Sequence, residues 1–338
     1  MERPRTRDDG RSAPSRALRP QSLGGRGQER VLVTGGSGFV GARLVAKLAS
    51  DGHDVVVLTR RRERARDLLP LPTVRVVEGD ASDAATLARW AASATSAVNL
   101  VGILHERGRD TFERVHVEFP RTFVGACRNA GVSRIVHMSA LAASPDAASA
   151  YLRSKAAGEA VIADSGLEWT IFRPSVIFGP GDSFLSLFAK LAQMFPVIPL
   201  ACARARFQPV FVGDVAECMA RALVDDATIG ERYALCGPKA YTLEELVSYA
   251  AQTSGHPRPI VPLGPAVATL QARVMELLPG PLLTRDNLAS MQHDSVCEGG
   301  FPRAFDLAPT PVEAIAPEYL APFSLHSRFD TFRARDGR

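Results

Sequence analysis

Short apolar runs alternate with segments of helical periodicity through the first half of the chain. The runs are rich in valine, which is typical of strands buried on both faces of a parallel sheet. They lie at 31–33, 55–58, 74–77, 97–101, 135–138 and 169–172, with helical segments at about 39–51, 62–69, 83–92, 117–130 and 149–164. This alternation predicts an α/β fold, a doubly wound parallel sheet with helices on both faces.

The alternation ends near residue 180, where proline and glycine become frequent. Amphipathic segments follow at 183–194, 213–224, 243–254 and 266–277. They predict a smaller, mostly helical C-terminal lobe. We therefore expect one domain over 29–180, completed by about 209–225, and a second lobe over 181–330.

Charge is unevenly distributed along the 338 residues. The first 30 residues hold eight arginines and four acidic residues, so they carry the whole net charge of +4. The remaining chain is neutral, which argues against nucleic-acid binding by the folded part. The tail over 1–28 has no hydrophobic period and is predicted to be disordered. It also lacks the apolar core of a secretory signal.

Cysteines and apolar segments exclude several further classes of protein. The five cysteines are scattered and never show C-x-x-C spacing, which predicts reduced, buried thiols. Histidine and cysteine show no metal-ligand spacing, so no metal site is expected. No segment approaches the ~20 consecutive apolar residues that span a bilayer.

A glycine-rich turn separates the first strand from the first helix. Glycines at this place let the backbone approach a pyrophosphate, which the helix N-terminus then binds through free N–H groups. The strand–turn–helix context predicts a dinucleotide site in a Rossmann-type fold, against the alternative of a plain turn. The predicted cofactor-binding residues of the turn are Gly35, Gly36, Ser37, Gly38, Phe39, Val40 and Gly41.

The end of the second strand bears on which dinucleotide is bound. NAD sites usually place an acid there, on the ribose 2′-OH. This chain has Thr59-Arg60-Arg61 instead, and guanidinium groups suit a 2′-phosphate. NADP(H) is therefore favoured over NAD(H), although the arginines could alternatively form a solvated helix face. Asp80, followed by Ala81, ends the third strand and is placed to accept a hydrogen bond from the adenine amino group.

These motifs resemble those of the short-chain dehydrogenase/reductase superfamily, in its extended or atypical branch. The resemblance implies that Arg173-Pro174 lies at the nicotinamide end of the cofactor, and that the loop after the fourth strand contacts the cofactor through Leu100, Val101 and Gly102. Its carriers are the glycine turn and the stretches 79–80, 98–102, 151–155, 172–181 and 209–216.

Tyr151 and Lys155 form the chemical centre of this comparison. At i and i+4 they share one helix face. A lysine ammonium beside a phenol lowers the phenol's pKa from about 10, which makes it a usable general acid or base. The resemblance implies that Lys155 also binds the nicotinamide ribose. Ser139, 12 residues upstream of Tyr151, is the candidate that polarises a substrate carbonyl.

Several residues depart from the pattern of sugar-modifying members. Asn99-Leu100-Val101-Gly102 stands where an Asn-x-Ala-Gly type loop is common, and His116 stands where asparagine is usual. The segment from Ser139 to Tyr151 is short. These departures argue against a nucleotide-sugar substrate.

Three stretches together, 99–104, 151–159 and 283–291, are similar to the NADPH-binding accessory subunit of respiratory complex I and its bacterial relatives. The relatives are often called NAD-dependent epimerase/dehydratases. The resemblance implies a bound nucleotide, a partner in a respiratory or membrane-associated complex, and a location in the cytoplasm or peripherally at the inner membrane.

Two other functions stay open from the sequence. One is an active NADP-dependent oxidoreductase or epimerase that acts on a small carbonyl substrate through Tyr151, Lys155 and Ser139. The other is a redox-sensing binding protein without turnover. The apolar segment 261–283 could face a partner or a membrane surface, although a buried amphipathic helix is the more ordinary expectation.

Overall fold

The computed structural model describes residues 29–277 and 282–321, so the predicted disorder of the basic tail lies outside the described residues. The first half contains strands β1 (Arg30–Thr34), β2 (Asp54–Thr59), β3 (Val74–Glu78), β4 (Ser96–Asn99), β5 (Arg134–Met138) and β6 (Glu168–Pro174). They alternate with helices α1 (Phe39–Ser50), α2 (Ala84–Ala91), α3 (Phe119–Asn129) and α4 (Ala150–Ala163). A 3-10 segment, Arg62–Leu68, follows β2, and a π-helical turn, Arg114–Glu118, leads into α3.

The second half is richer in helix and in very short strands. Its helices are α5 (Leu185–Met194), α6 (Val212–Val224), α7 (Leu243–Thr253), α8 (Pro265–Glu276), α9 (Arg285–Ser290) and α10 (Val312–Leu320). Its strands are β7 (Ile177–Phe178), β8 (Ile198–Leu200), β9 (Arg206–Phe207), β10 (Val210–Phe211), β11 (Glu231–Leu235), β12 (Tyr241–Thr242) and β13 (Ile260–Pro262).

Seven parallel strands form the main sheet, in the order β11-β6-β5-β4-β1-β2-β3. The predicted Rossmann-type α/β fold is thereby confirmed. The order reverses between β1 and β4, and ligands of such sheets bind outside the carboxyl ends of the strands at that reversal. The glycine turn follows β1 and therefore lies at this place.

Alternation along the strands divides the sheet's apolar side chains between two cores. Val33 and Val98 pack with α1 and α6 on one face, whereas Leu32 and Ile135 pack with α2 and α3 on the other. Both α6 and β11 come from beyond residue 209, after the chain has already entered the second lobe. The sheet domain is thus assembled from two separated stretches of sequence.

Helix α8 presents an apolar stripe to solvent. Its small residues Ala268 and Ala272 are buried, while Val267, Leu270 and Val274 are more than half exposed. The expectation of a buried amphipathic helix over this segment is therefore wrong, because the large apolar side chains lie on the outer face. Within the described residues, no helix combines the length and apolarity needed to cross a bilayer.

A disulfide joins Cys236, just after β11, to Cys297 in the C-terminal lobe. The expectation that all five thiols are reduced is corrected at this pair. Their Cα atoms lie 6.1 Å apart although 61 residues separate them in sequence. Cysteine spacing gave no sign of the contact, because the fold alone brings these segments together. Cys127, Cys202 and Cys218 are free thiols.

Candidate dinucleotide site

The glycine turn after β1 is shaped for close backbone approach. Gly35 adopts φ +78°, and a Cβ at this residue would lie 2.8 Å from the carbonyl carbon of Leu100. A Cβ at Gly41 would overlap the carbonyl oxygen of Gly35. Gly38 begins α1 without a side-chain cap, and the first turn holds no acidic residue. The free N–H groups of this helix N-terminus therefore fit a pyrophosphate.

Polar and basic groups lie at the carboxyl end of β2, beside the glycine turn. The hydroxyls of Thr59 and Ser37 are 3.0 Å apart. The Arg60 side chain is 65% exposed and its guanidinium lies 3.4 Å from the Asp110 carboxylate, and Arg61 is exposed as well. An exposed ion pair contributes little to stability, so a 2′-phosphate can replace the Asp110 carboxylate as the partner of Arg60.

Asp80 follows β3 at the same edge of the sheet. Its Oδ1 accepts hydrogen bonds from the Ser82 backbone N–H (2.9 Å) and hydroxyl (2.8 Å). These bonds lower the pKa of Asp80, so the carboxylate is ionised at neutral pH. Among the described residues, its Oδ2 has no hydrogen-bond donor. This oxygen can accept from an adenine amino group, with Ala81 beside it.

The loop after β4 runs between the glycine turn and α4. Asn99 turns it by accepting the Val101 N–H on its side-chain oxygen at 3.0 Å. A Cβ on Gly102 would lie 3.2 Å from the Lys155 ammonium nitrogen. The backbone at Gly102 therefore runs directly beside the Lys155 ammonium, and a side chain at this residue would crowd it.

Lys155 projects from α4 toward the end of β5. It is 5% exposed, and its ammonium donates to the Met138 carbonyl at 3.2 Å. Burial lowers the pKa of Lys155 to about 8, and the negative charge of Glu159 opposes that shift. At neutral pH the ammonium is mostly charged, and its remaining N–H groups can serve ribose hydroxyls.

Tyr151 lies in an aromatic cluster and not in a cationic pocket. Its ring meets those of Phe112 and His116 edge to face, with centroids 5.9 and 5.6 Å away. Burial raises the pKa of Tyr151 to about 12. This corrects the expectation that Lys155 would lower it, because desolvation of the phenolate dominates while the ammonium donates to the Met138 carbonyl.

His116 is a functional candidate whose contacts could not be inferred from the sequence. Its Nε2 accepts the Ile103 N–H at 3.1 Å, so we assign the proton to Nδ1, which lies 2.8 Å from the Ser154 hydroxyl. Ser154 in turn donates to the Tyr151 carbonyl. Burial and the charge of Lys155 lower the pKa of His116 to about 3. The neutral ring thus ties the β4 loop to α4.

Ser139 is buried at the end of β5, next to the strand position whose carbonyl binds Lys155. Its backbone N–H donates to the Phe172 carbonyl at 2.7 Å. Its hydroxyl has no hydrogen-bond partner among the described residues. A buried hydroxyl without a partner is costly, which suits a group that binds a ligand's carbonyl or amide.

The Arg173 side chain pairs with a buried carboxylate of α4. Its Nε lies 2.9 and 3.1 Å from the two carboxylate oxygens of Glu159 on α4. Glu159 is almost fully buried and also lies 3.5 Å from Arg232. The Arg173 side chain therefore lies against α4. That Arg173 and Pro174 lie at the nicotinamide end of the cofactor stays a prediction. The Pro174 carbonyl accepts the backbone N–H of Leu141.

One further contact comes from the C-terminal lobe. Asp286, at the beginning of α9, accepts the backbone N–H groups of Ala150 and Tyr151. The charge of the same carboxylate also acts on His105, in the loop after β4. Burial lowers the pKa of His105, and the charge of Asp286 opposes the shift.

Comparisons with known proteins agree with this geometry. A model of an NAD(P)H-binding family matches residues 35–181. Mitochondrial NADH dehydrogenase (ubiquinone) 1 alpha subcomplex subunit 9 of Mus musculus is 32% identical over 316 residues, covering 90% of this chain and 84% of the mouse protein. Ceramide reductase of Caulobacter vibrioides is 37% identical over 190 residues, covering 55% of this chain and 58% of that protein.

A solved structure is similar in fold. The NADPH-dependent quinone oxidoreductase of Escherichia coli, complexed with NADPH, superposes with a TM-score of 0.70 at 19% identity. The match covers 86% of this chain and 99% of that chain. The sheet and its flanking helices are thus the common framework.

Proposed function

The chain belongs to the family of NADH dehydrogenase (ubiquinone) 1 alpha subcomplex subunit 9 and carries an NAD(P)H-binding domain, and on that basis we propose that it holds NADP(H) as a tightly bound nucleotide and docks on a respiratory or membrane-associated complex. The bound nucleotide would supply a hydride carrier and a rigid ligand between sheet and C-terminal lobe. The chain's own groups bind and orient it.

The preference for NADP(H) depends on Arg60 above all. Its guanidinium stands at the end of β2, where an acid would select NAD(H), and it is held only by an exposed pair with Asp110. The neighbouring hydroxyls of Ser37 and Thr59 add hydrogen-bond donors for a phosphate. Residues 55–59 of β2, which precede Arg60, include no acidic residue that would repel that phosphate.

Titration of the purified protein with NADPH and NADH tests this preference. Arg60→Ala is expected to weaken NADPH binding by about 10- to 100-fold, the size of a charge-assisted hydrogen bond, and to leave NADH binding unchanged. Arg64→Ala, in the adjoining 3-10 segment, is the matched control. NADH that binds as tightly as NADPH to the wild-type protein would contradict the proposal.

Binding without turnover is supported by the state of Tyr151. A general acid or base works best with a pKa near the working pH, and burial raises the pKa of Tyr151 to about 12. A neutral phenol can still donate a hydrogen bond to a ribose or amide. We therefore assign Tyr151 and Lys155 to holding the nicotinamide half of the nucleotide.

A second candidate function is carbonyl reduction with NADPH. The partnerless hydroxyl of Ser139 favours it, since that group can polarise a carbonyl beside Tyr151. The match to a ceramide reductase is a further reason to test it. Oxidation of NADPH is followed at 340 nm with ketone and aldehyde substrates that include long-chain ones. Turnover that Tyr151→Phe abolishes would replace the binding proposal with this one.

The exposed stripe of α8 supports a docking role. Leu270 and Val274 are 61% and 56% exposed on one helix face, an arrangement typical of contact surfaces. Co-purification from native membranes with tagged protein tests this role. Leu270→Ser is expected to reduce recovery of the complex, whereas Leu69→Ser, at a comparably exposed leucine far from α8, is expected to leave it unchanged. Equal recovery with both variants would contradict docking through this stripe.

A further inference from the structure

The beginning of α4 is completed by a residue from the C-terminal lobe. The first N–H groups of an α-helix have no partner within the helix. Ser149 caps the third of them by accepting the Leu152 N–H at 3.1 Å. Asp286 accepts the other two, with 2.6 Å from Ala150 N to Oδ1 and 3.1 Å from Tyr151 N to Oδ2. A carboxylate is also favoured at this end of the helix dipole.

Hydrogen bonds within the C-terminal lobe surround Asp286. Thr284 and Asn287 form a reciprocal capping box at the start of α9, with both bonds at 3.0–3.1 Å. The neighbouring Arg285 binds Glu276 of α8 through its backbone N–H (2.7 Å) and its guanidinium (3.0 Å). The capping box thus orders the start of α9, and the Arg285–Glu276 contacts join it to α8.

We propose that Asp286 is a positioning residue of the nucleotide site, through which the C-terminal lobe fixes the first turn of α4 and with it Tyr151. The inference rests on the proposed nucleotide binding. It adds to the site a residue that contacts neither the glycine turn nor the groups proposed to bind the adenosine. Because Asp286 acts on Tyr151, its loss is expected to weaken the binding of the nicotinamide half of the ligand. The adenosine half is bound by groups on β2 and β3.

This division gives the experiment its readout. NADPH and adenosine 2′,5′-bisphosphate share the phosphorylated ribose, but the bisphosphate lacks the nicotinamide. Asp286→Ala is expected to weaken NADPH binding about tenfold, equivalent to ~1.4 kcal/mol, and to leave bisphosphate binding within about twofold of wild type. Asp286→Asn keeps one acceptor oxygen, and its NADPH affinity is expected to lie between those of wild type and Asp286→Ala. The fluorescence of bound NADPH reports the environment of the nicotinamide directly.

Asp294→Asn is the matched control, because Asp294 is an exposed carboxylate of the same lobe that accepts the Arg206 N–H at 3.1 Å. It is expected to bind both ligands like wild type. Equal losses of NADPH and bisphosphate affinity in Asp286→Ala would overturn the positioning role, since they would indicate a general structural defect.

If the proposed function is wrong, the wild-type protein will bind neither NADPH nor the bisphosphate. Hydrogen exchange at the Ala150 and Tyr151 amides then still tests Asp286 in the nucleotide-free protein. Faster exchange of these amides in Asp286→Ala than in Asp294→Asn supports the role in fixing α4. Unchanged exchange overturns it.

Discussion

The buried ammonium of Lys155 makes the nucleotide site sensitive to alkaline pH. Burial lowers its pKa from the ordinary 10.5 to about 8. Below pH 8 the lysine is charged in both folded and unfolded chains, so the folded protein bears the full cost of burying the charge. Between pH 8 and 10.5 only the unfolded chain keeps the proton, and the cost is progressively relieved.

A comparison of wild type with Lys155→Met isolates this effect. The free energy of unfolding of wild type minus that of the variant is expected to rise with pH, by up to about 1.4 kcal/mol per unit between pH 8 and 10. Urea denaturation across that range measures it. Lys47→Met is the control, because contacts with Asp51 and Glu217 raise the pKa of Lys47. A difference that stays flat for Lys155→Met would show that its ammonium is not desolvated.

At single residues the sequence supports a prediction where the signal is local. The glycines, Arg60 and the Tyr151–Lys155 spacing are each defined within a few neighbours along the chain. The pairing of Arg173 with Glu159 and that of Asp286 with Tyr151 could not be inferred, since each joins elements far apart in sequence. Their side-chain types alone are equally typical of a solvated surface.

Helix α4 and the π-helical turn approach each other closely at Gly158. A Cβ at Gly158 would overlap the carbonyl oxygen of His116. The same turn holds the His116 ring that binds the β4 loop through the Ile103 N–H. Absence of a side chain at Gly158 is therefore what allows α4, the turn and the loop to meet.

Gly158→Ala is expected to lower the free energy of unfolding by about 1–3 kcal/mol, because an added methyl group forces backbone atoms apart. Gly125→Ala, inside α3, is the matched control. A Cβ there meets no atom within 4 Å, and alanine should stabilise that helix by up to ~1 kcal/mol. Chemical denaturation of both variants measures the contrast, and a loss of equal size in both would contradict this account of α4 packing.

Elements were predictable in proportion to their length. The bounds of the long helices agree with the sequence patterns to within one or two residues, as for α4 at Ala150–Ala163 against 149–164. Strands of two or three residues, such as β7 and β12, are too short to show any period. The sequence pattern did not predict the edge strand β11, because this strand lies within the stretch that is predicted to form a helical lobe.

At the scale of the whole molecule, the segment over 284–297 joins the C-terminal lobe to the sheet domain. Asp286 contacts α4, the Ser295 carbonyl accepts a hydrogen bond from the Ser175 hydroxyl at 2.7 Å, and Cys297 is bonded to Cys236. These contacts could not be predicted from the sequence, because each depends on how the two lobes pack together. The segment therefore contributes to the stability of both.

Cys297→Ser is expected to lower the free energy of unfolding by about 2–4 kcal/mol relative to oxidised wild type. Dithiothreitol should remove that difference, since it reduces the wild-type bond. Cys202→Ser, which removes a half-buried free thiol, is expected to keep the response of wild type to the reductant. Thermal unfolding with and without dithiothreitol measures both variants, and a reductant-independent difference would contradict the disulfide.

The late position of α6 in the chain has a consequence for synthesis on the ribosome. The sheet face that carries Val136 and Phe172 is complete once β6 has been made, yet α6 ends at Val224, 50 residues after Pro174. At ~5–20 residues per second, translation of that stretch takes roughly 3–10 s. Through that interval the part of this face that α6 later covers stays exposed on the nascent chain. We therefore expect it to be a client of ribosome-associated chaperones until Val224 has emerged from the exit tunnel.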